Sequence, residues 1–175
     1  MNANRTLDYC MRIQNRIERY YGVKVVTRDI PAPLIGDLNG EEIHIDPRVT
    51  PEQRLFLLAH LFGHTVQWNT DPHAFDLGRL QPPVSEERLP GVAAYEREAA
   101  SYGLDLIHRM GIGDIDQWFT DYGACDMAYL LHFYRTGEKR EFSTFWRDGT
   151  PLLLAKTVPH FTPTKKTFRM EGVVI

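Results

Sequence analysis

The sequence predicts an α+β domain organised around one buried helix, on three observations. Residues 51 to 68 carry Leu55, Phe56, Leu58, Ala59, Phe62 and Val66, an apolar surface too wide for a helix lying on the outside of a domain. Three other stretches repeat apolar residues at steps of three and four. A turn signal at Asn39-Gly40 separates two short apolar pieces, which reads as a β-hairpin.

Each element follows from its own residues. In the first helix, Leu7 to Tyr21, the apolar positions Leu7, Cys10, Ile13, Ile17, Tyr20 and Tyr21 alternate with Arg12, Arg16, Glu18 and Arg19, and Gly22 ends it. Val23 to Val26 is short and β-branched, after which Pro31 and Pro33 interrupt the chain. From Leu34 to Asp46 the hairpin turns at Asn39-Gly40 in a type I′ geometry. Ile43 and Ile45 then face one way, and His44 is expected on the exposed outer face. The second helix has the clearest start: Thr50 as N-cap, Pro51 at the first helical position and Gln53 completing a capping box. Asn69 to Pro90 holds Pro72, Pro82, Pro83 and Pro90 with Gly78 and reads as a long irregular loop. A third helix covers Val92 to Met110 and stops at Gly111. A fourth covers Ile115 to Tyr134, with a break expected at Gly123. The remainder has β-prone pieces at Phe142 to Trp146, Leu152 to Val158 and Gly172 to Ile175. Residues 1–136 thus read as the domain, and 137–175 as an extension packed on it.

Composition narrows the function. A chain of 175 residues is one domain long, and 43% hydrophobic content with 11% aromatics is enough for a sizeable core. Lys plus Arg number 20 against 23 for Asp plus Glu, so no global basic field exists to hold a nucleic-acid backbone and no direct nucleic-acid partner is expected. Lys139-Arg140 and Lys165-Lys166 are expected to be solvated surface. Two cysteines, Cys10 and Cys125, make no CxxC pair and fit a reducing compartment. No apolar run is longer than Leu55 to Ala59, far short of the roughly 20 residues that span a bilayer. With no apolar segment at the start, the expectation is a soluble, cytoplasmic protein.

The residues that point to chemistry are His60 and His64. Four residues are about 400° of helical rotation, so both imidazoles leave one face a turn apart, at a spacing that lets them share a metal ion. An HxxxH pair alone is equally the mark of two hydrogen-bonded core histidines. Glu96 adds the third donor. On the third helix it falls with Val92, Ala99, Gly103, Leu106 and Ile107 on the stripe expected to be buried, where a carboxylate is unfavourable unless it is paired or binds a metal. A buried pair with an arginine or a histidinium would satisfy it as well. Glu98 falls nearly opposite, where a surface salt bridge is the simpler role. Two histidines from one helix and a glutamate from another form the three-ligand set of catalytic zinc sites. Gly63, just before His64, reads as a small residue permitting close helix packing.

These residues resemble the ImmA/IrrE-type metallopeptidase-like family. The resembling parts are the hairpin ending in IHIDP, the capped helix QRLFLLAHLFGH in place of the family's HExGH helix, EREAASYGLDLI in place of a glutamate helix of the form ExEANxFAxxLL, and the following IDQWFTDYGACDMAYLL. Together they span Tyr9 to Tyr134. The resemblance implies a zincin-like metallopeptidase fold with the HxxxH helix at its centre and zinc as the cofactor. His60 and His64 would be the imidazole ligands and Glu96 the third. It also implies a protein or peptide partner, a transcriptional regulator in the family's usual setting, and no membrane.

The sequence departs from the family at the residue after the first histidine. There the family has a glutamate, which takes a proton from the attacking water and passes it to the leaving amine. Here it is Leu61, and losing a positioned general base removes about 10²–10⁴ in rate. Ala100, where the family often has Asn, removes a further polar group. Glu98 and Glu52 are poorly placed to substitute, whereas Tyr95, Tyr102, His73 and Gln67 remain open. The expectation is a zinc-binding, regulatory pseudoenzyme, and the alternative is an active endopeptidase with a non-standard base.

Overall fold

The computed structural model describes residues 2–31 and 34–167; Pro33 and the β-prone piece at 172–175 lie outside them. Among the described residues there are five α-helices and one three-stranded sheet. Helix α1 spans Ala3–Tyr21 and ends on Gly22 at φ 72°, with Tyr9, Cys10, Ile13 and Ile17 buried. Strands β1 (Lys24–Thr27), β2 (Gly36–Leu38) and β3 (Glu42–Ile45) follow, and β3 lies between the other two, parallel to β1 and antiparallel to β2.

Helix α2, Pro51–Thr70, is the core of the molecule. Its capping box is formed: the Thr50 side chain accepts from the Gln53 N–H, and the Gln53 side chain accepts from the Thr50 N–H. Every residue from Leu58 to Trp68 is buried, as only a helix covered on all sides can be. Helix α1 and the sheet pack on one part of its circumference, α4 (Leu89–Arg109) and α5 (Asp116–Thr136) on another.

Several sequence expectations need correction. The hairpin forms, but not through a type I′ turn, since Gly40 has φ 87° and no other residue type has positive φ among the described residues. Instead the Asn39 side-chain oxygen accepts from the Glu41 and Glu42 N–H groups, at 3.0 and 2.8 Å, and closes a three-residue loop. His44 is buried rather than exposed, because it sits on the central strand with Glu42 at 3.2 Å and Asp37 at 3.6 Å beside it. The expected long loop from Asn69 to Pro90 contains helix α3 (Pro72–Leu77) and a 3₁₀ turn at Glu86–Arg88. Asp71 supplies the missed start signal for α3, its side chain accepting from the His73 N–H with Pro72 at the first position. Gly123 does not break α5. Its place faces Ala100 and Phe56, and the helix continues to Gly137. Phe142–Phe145 is a 3₁₀ turn rather than a strand, and Leu152 to Val158 joins no sheet.

That last segment is a strap of extended chain. Asp121 accepts from the N–H groups of Gly149 and Thr150, Ser101 accepts from the Lys156 N–H, and Asp105 accepts from the Val158 N–H. The Asp121 and Asp105 side chains and the Ser101 backbone carbonyl, all on helices, thereby supply the hydrogen bonds that a sheet would otherwise provide. No helix among the described residues is long and apolar enough to cross a membrane.

Candidate metal centre

Three of the residues singled out from the sequence meet at one point. His60 Nε2, His64 Nε2 and Glu96 Oε2 form a triangle with all three sides 3.1 Å. The histidines come from successive turns of α2 and the glutamate from α4, which crosses α2 close by. All three side chains are buried, Glu96 retaining 6% exposure. Among the described residues this is the one cluster of three or more His, Cys, Asp or Glu groups whose donor atoms lie close enough to share an ion.

The approach of α2 and α4 depends on glycine. A Cβ on Gly63 would stand 1.9 Å from the Ala99 carbonyl oxygen, and one on Gly103 would stand 2.6 Å from that of Ala59. Each helix thus presents a bare backbone where the other passes, which confirms the packing role expected of Gly63.

Burial alone would raise the Glu96 carboxyl, but His64 and His60 outweigh it and hold it down to about 2. Three buried lone-pair donors at mutual distances of 3.1 Å need a proton or a metal ion between them. Tetrahedral zinc with ligands at about 2.0–2.1 Å separates neighbouring ligand atoms by about 3.3–3.4 Å, so the triangle fits zinc after a small expansion.

The supporting contacts keep His64 in the form a metal requires. Its Nδ1 lies 2.9 Å from Gln67 Oε1, a carbonyl that can only accept, so Nδ1 carries a proton and Nε2 is the nitrogen that can offer a lone pair to a metal ion. Gln67 is fixed in turn. Its amide donates to the Tyr95 carbonyl at 2.9 Å and to Glu98 Oε2 at 2.8 Å. Glu98 pairs through its other oxygen with Lys156 of the strap, the salt bridge expected for it from the sequence. His60 stacks on Phe56 with ring centroids 5.0 Å apart, and its Nδ1 is buried without a hydrogen-bond partner.

The triangle opens onto a cavity of about 280 Å³ whose walls are mostly leucine and aromatic side chains. Leu61 lines this cavity beside His60, with its methyl groups against Gly36 of β2. Across the cavity stands Asp126 of α5, with Oδ2 3.7 Å from His60 Nε2. Burial raises the Asp126 carboxyl to about 6, with His60 opposing the rise and Glu96 adding to it. Sequence reasoning missed Asp126, although the signal was present. It shares a helical stripe with Tyr122, Tyr129, Leu130 and Phe133, and a carboxylate within an apolar stripe is the same anomaly that marked Glu96.

The remaining alternatives for a proton acceptor separate cleanly. His73 is exposed on α3, and Tyr102 lies under Lys156 on the strap side. Tyr95 packs its ring 4.4 Å from that of His64, while its hydroxyl accepts from Trp68 Nε1 and its pKa is driven well up by burial. Gln67 supports His64 instead of facing the cavity. Comparison with protein families, with curated proteins and with solved structures found no match to this chain.

Proposed function

We propose that this chain is a zinc-binding, metallopeptidase-like domain of the zincin type, akin to the ImmA/IrrE family. Its peptide hydrolysis is weakened or lost, and its role is to bind a protein or peptide partner in a regulatory setting. One observation carries the reading: two histidines and a glutamate converge at 3.1 Å beside a cavity, and the residue at the position of the family's general base is Leu61. His60, His64 and Glu96 would hold the zinc. Zinc bound there supplies Lewis acidity, which polarises a carbonyl group and acidifies water. Leu61 has no proton to exchange and keeps its side of the cavity dry. Gln67 holds the His64 tautomer, and Phe56 orients His60.

Asp126 favours a second reading, an active endopeptidase cleaving a transcriptional repressor. Its carboxylate is the acid nearest the triangle outside Glu96, it faces the cavity, and it would take the proton that Leu61 cannot.

A single comparison separates the two. Zinc-loaded wild type, Leu61→Glu and Asp126→Asn are assayed on a quenched-fluorescent peptide library. The first reading predicts little cleavage by wild type and a gain of about 10²-fold or more in Leu61→Glu. Strong wild-type cleavage that Asp126→Asn removes would replace it with the second.

A further inference from the structure

The cavity has a feature that the metal cluster does not use. Its mouth carries Lys139 and Arg140, on the segment that leaves α5 after Gly137. Neither forms an ion pair with a carboxylate among the described residues, although other basic side chains of the molecule, such as Arg48, Arg109 and Lys156, do. Lys139 Nζ lies 5.3 Å from the centre of the Phe133 ring, a wall of the same cavity, and partial burial there lowers its pKa. Lys139 and Arg140 are exposed, as expected from the sequence, and stand at the cavity without a carboxylate partner among the described residues.

Leu57, Leu61, Tyr129, Leu130 and Phe142 give the cavity largely apolar walls. Glu96 and Asp126, the acidic groups that line the cavity, lie at the triangle's end. Glu96 is buried and Asp126 half-buried, whereas Lys139 and Arg140 are exposed, so the carboxylates lie deeper in the cavity than the two unmatched cations. The two cations attract an anionic group to the exposed rim of the cavity. A volume of about 280 Å³ lies just below the ~300–1,000 Å³ of small-molecule sites and suits one apolar group rather than a folded surface.

We propose that this cavity binds an apolar monocarboxylate, with the carboxylate on Lys139 and Arg140 and an aliphatic or aromatic body between Leu57, Leu130 and Phe142. The carboxylate belongs either to a free acid or to the C-terminal residue of a peptide, and the recognition chemistry is the same. The inference concerns the same cavity as the metal cluster but does not rest on the metal, because Lys139 and Arg140 are not part of that cluster.

Calorimetric titration with 4-phenylbutyrate and with its uncharged amide tests it on wild type, on chelator-treated wild type and on the Lys139→Ala/Arg140→Ala double variant. The expected result is at least tenfold tighter binding of the acid than of the amide, unchanged by the chelator. In the double variant the two affinities become equal while that for the amide stays as it was. Both substituted residues are exposed, so the variant keeps its fold. No binding of either compound, equal affinities in wild type, or a preference that survives in the double variant would overturn the proposal. A preference that disappears with the chelator would place the carboxylate on the metal and overturn it too, leaving the metal reading intact. N-acetyl-alanyl-phenylalanine in the same titration assigns the source: tighter binding than 4-phenylbutyrate marks a peptide C-terminus, and weaker binding marks a free acid.

Discussion

Gly63 lies so close to the main chain of Ala99 that a Cβ on it would stand 1.9 Å from the Ala99 carbonyl oxygen. This contact sets how near α2 comes to α4. His64 is the next residue on one helix, and Glu96 is one turn before Ala99 on the other, so the same contact sets the distance between donor groups of the candidate metal centre.

Gly63→Ala should therefore damage both stability and the site. The clashing atom is backbone and cannot swing aside, which puts the loss at about 3 kcal/mol or more in urea unfolding, at the upper end for overpacked cores. Gly103→Ala, with a Cβ 2.6 Å from the Ala59 oxygen, should lose less. Equal or negligible losses in the two variants would mean that the helices adjust freely.

Gln67→Ala should weaken zinc binding about 10–100-fold, the usual effect of removing the partner that orients a ligating histidine. The direct ligands remain, so binding should stay stoichiometric at high zinc. Competition with a fluorescent chelator measures the change, and an unaltered affinity would show that His64 needs no help from Gln67 to keep its tautomer.

How much of this could be read beforehand depended on how local the signal was. The α2 cap, the HxxxH spacing and the choice of Glu96 over Glu98 follow from residues within one helix, and all reappear in the fold. His44 and Asp126 did not, because both depend on what lies across from them. Strand alternation correctly sent His44 away from Ile43 and Ile45, but could not show that β3 is the central strand, with carboxylates shielding the other face. Asp126 was legible as a carboxylate within the apolar stripe of α5, but its place beside His60 depends on how α5 packs against α2. The strap was unreadable for a related reason: its hydrogen-bond partners are side chains of α4 and α5 and the Ser101 carbonyl, far away in sequence.

Acid should destabilise the protein partly through Asp46. The Arg48 guanidinium beside it, joined by the N–H groups of Arg48 and Ile30, holds its carboxyl well below the usual range. A carboxyl depressed in the folded state contributes stability that is full above its unfolded pKa of about 3.9 and is lost as pH falls through the folded value. Asp46→Asn should thus lower the urea midpoint at pH 7 and narrow the difference between the pH 7 and pH 3 midpoints. An unchanged difference would show that Asp46 does not couple folding to protons.

The central claim is that His60, His64 and Glu96 bind one metal ion. Elemental analysis of untagged protein, purified beside His60→Ala and Glu98→Ala, tests it most directly. The account predicts about one zinc per chain in wild type, none in His60→Ala and a near-wild-type content in Glu98→Ala, whose carboxylate reaches the site only through Gln67. Zinc retained by His60→Ala, or absent from wild type even after incubation with excess zinc, would contradict it.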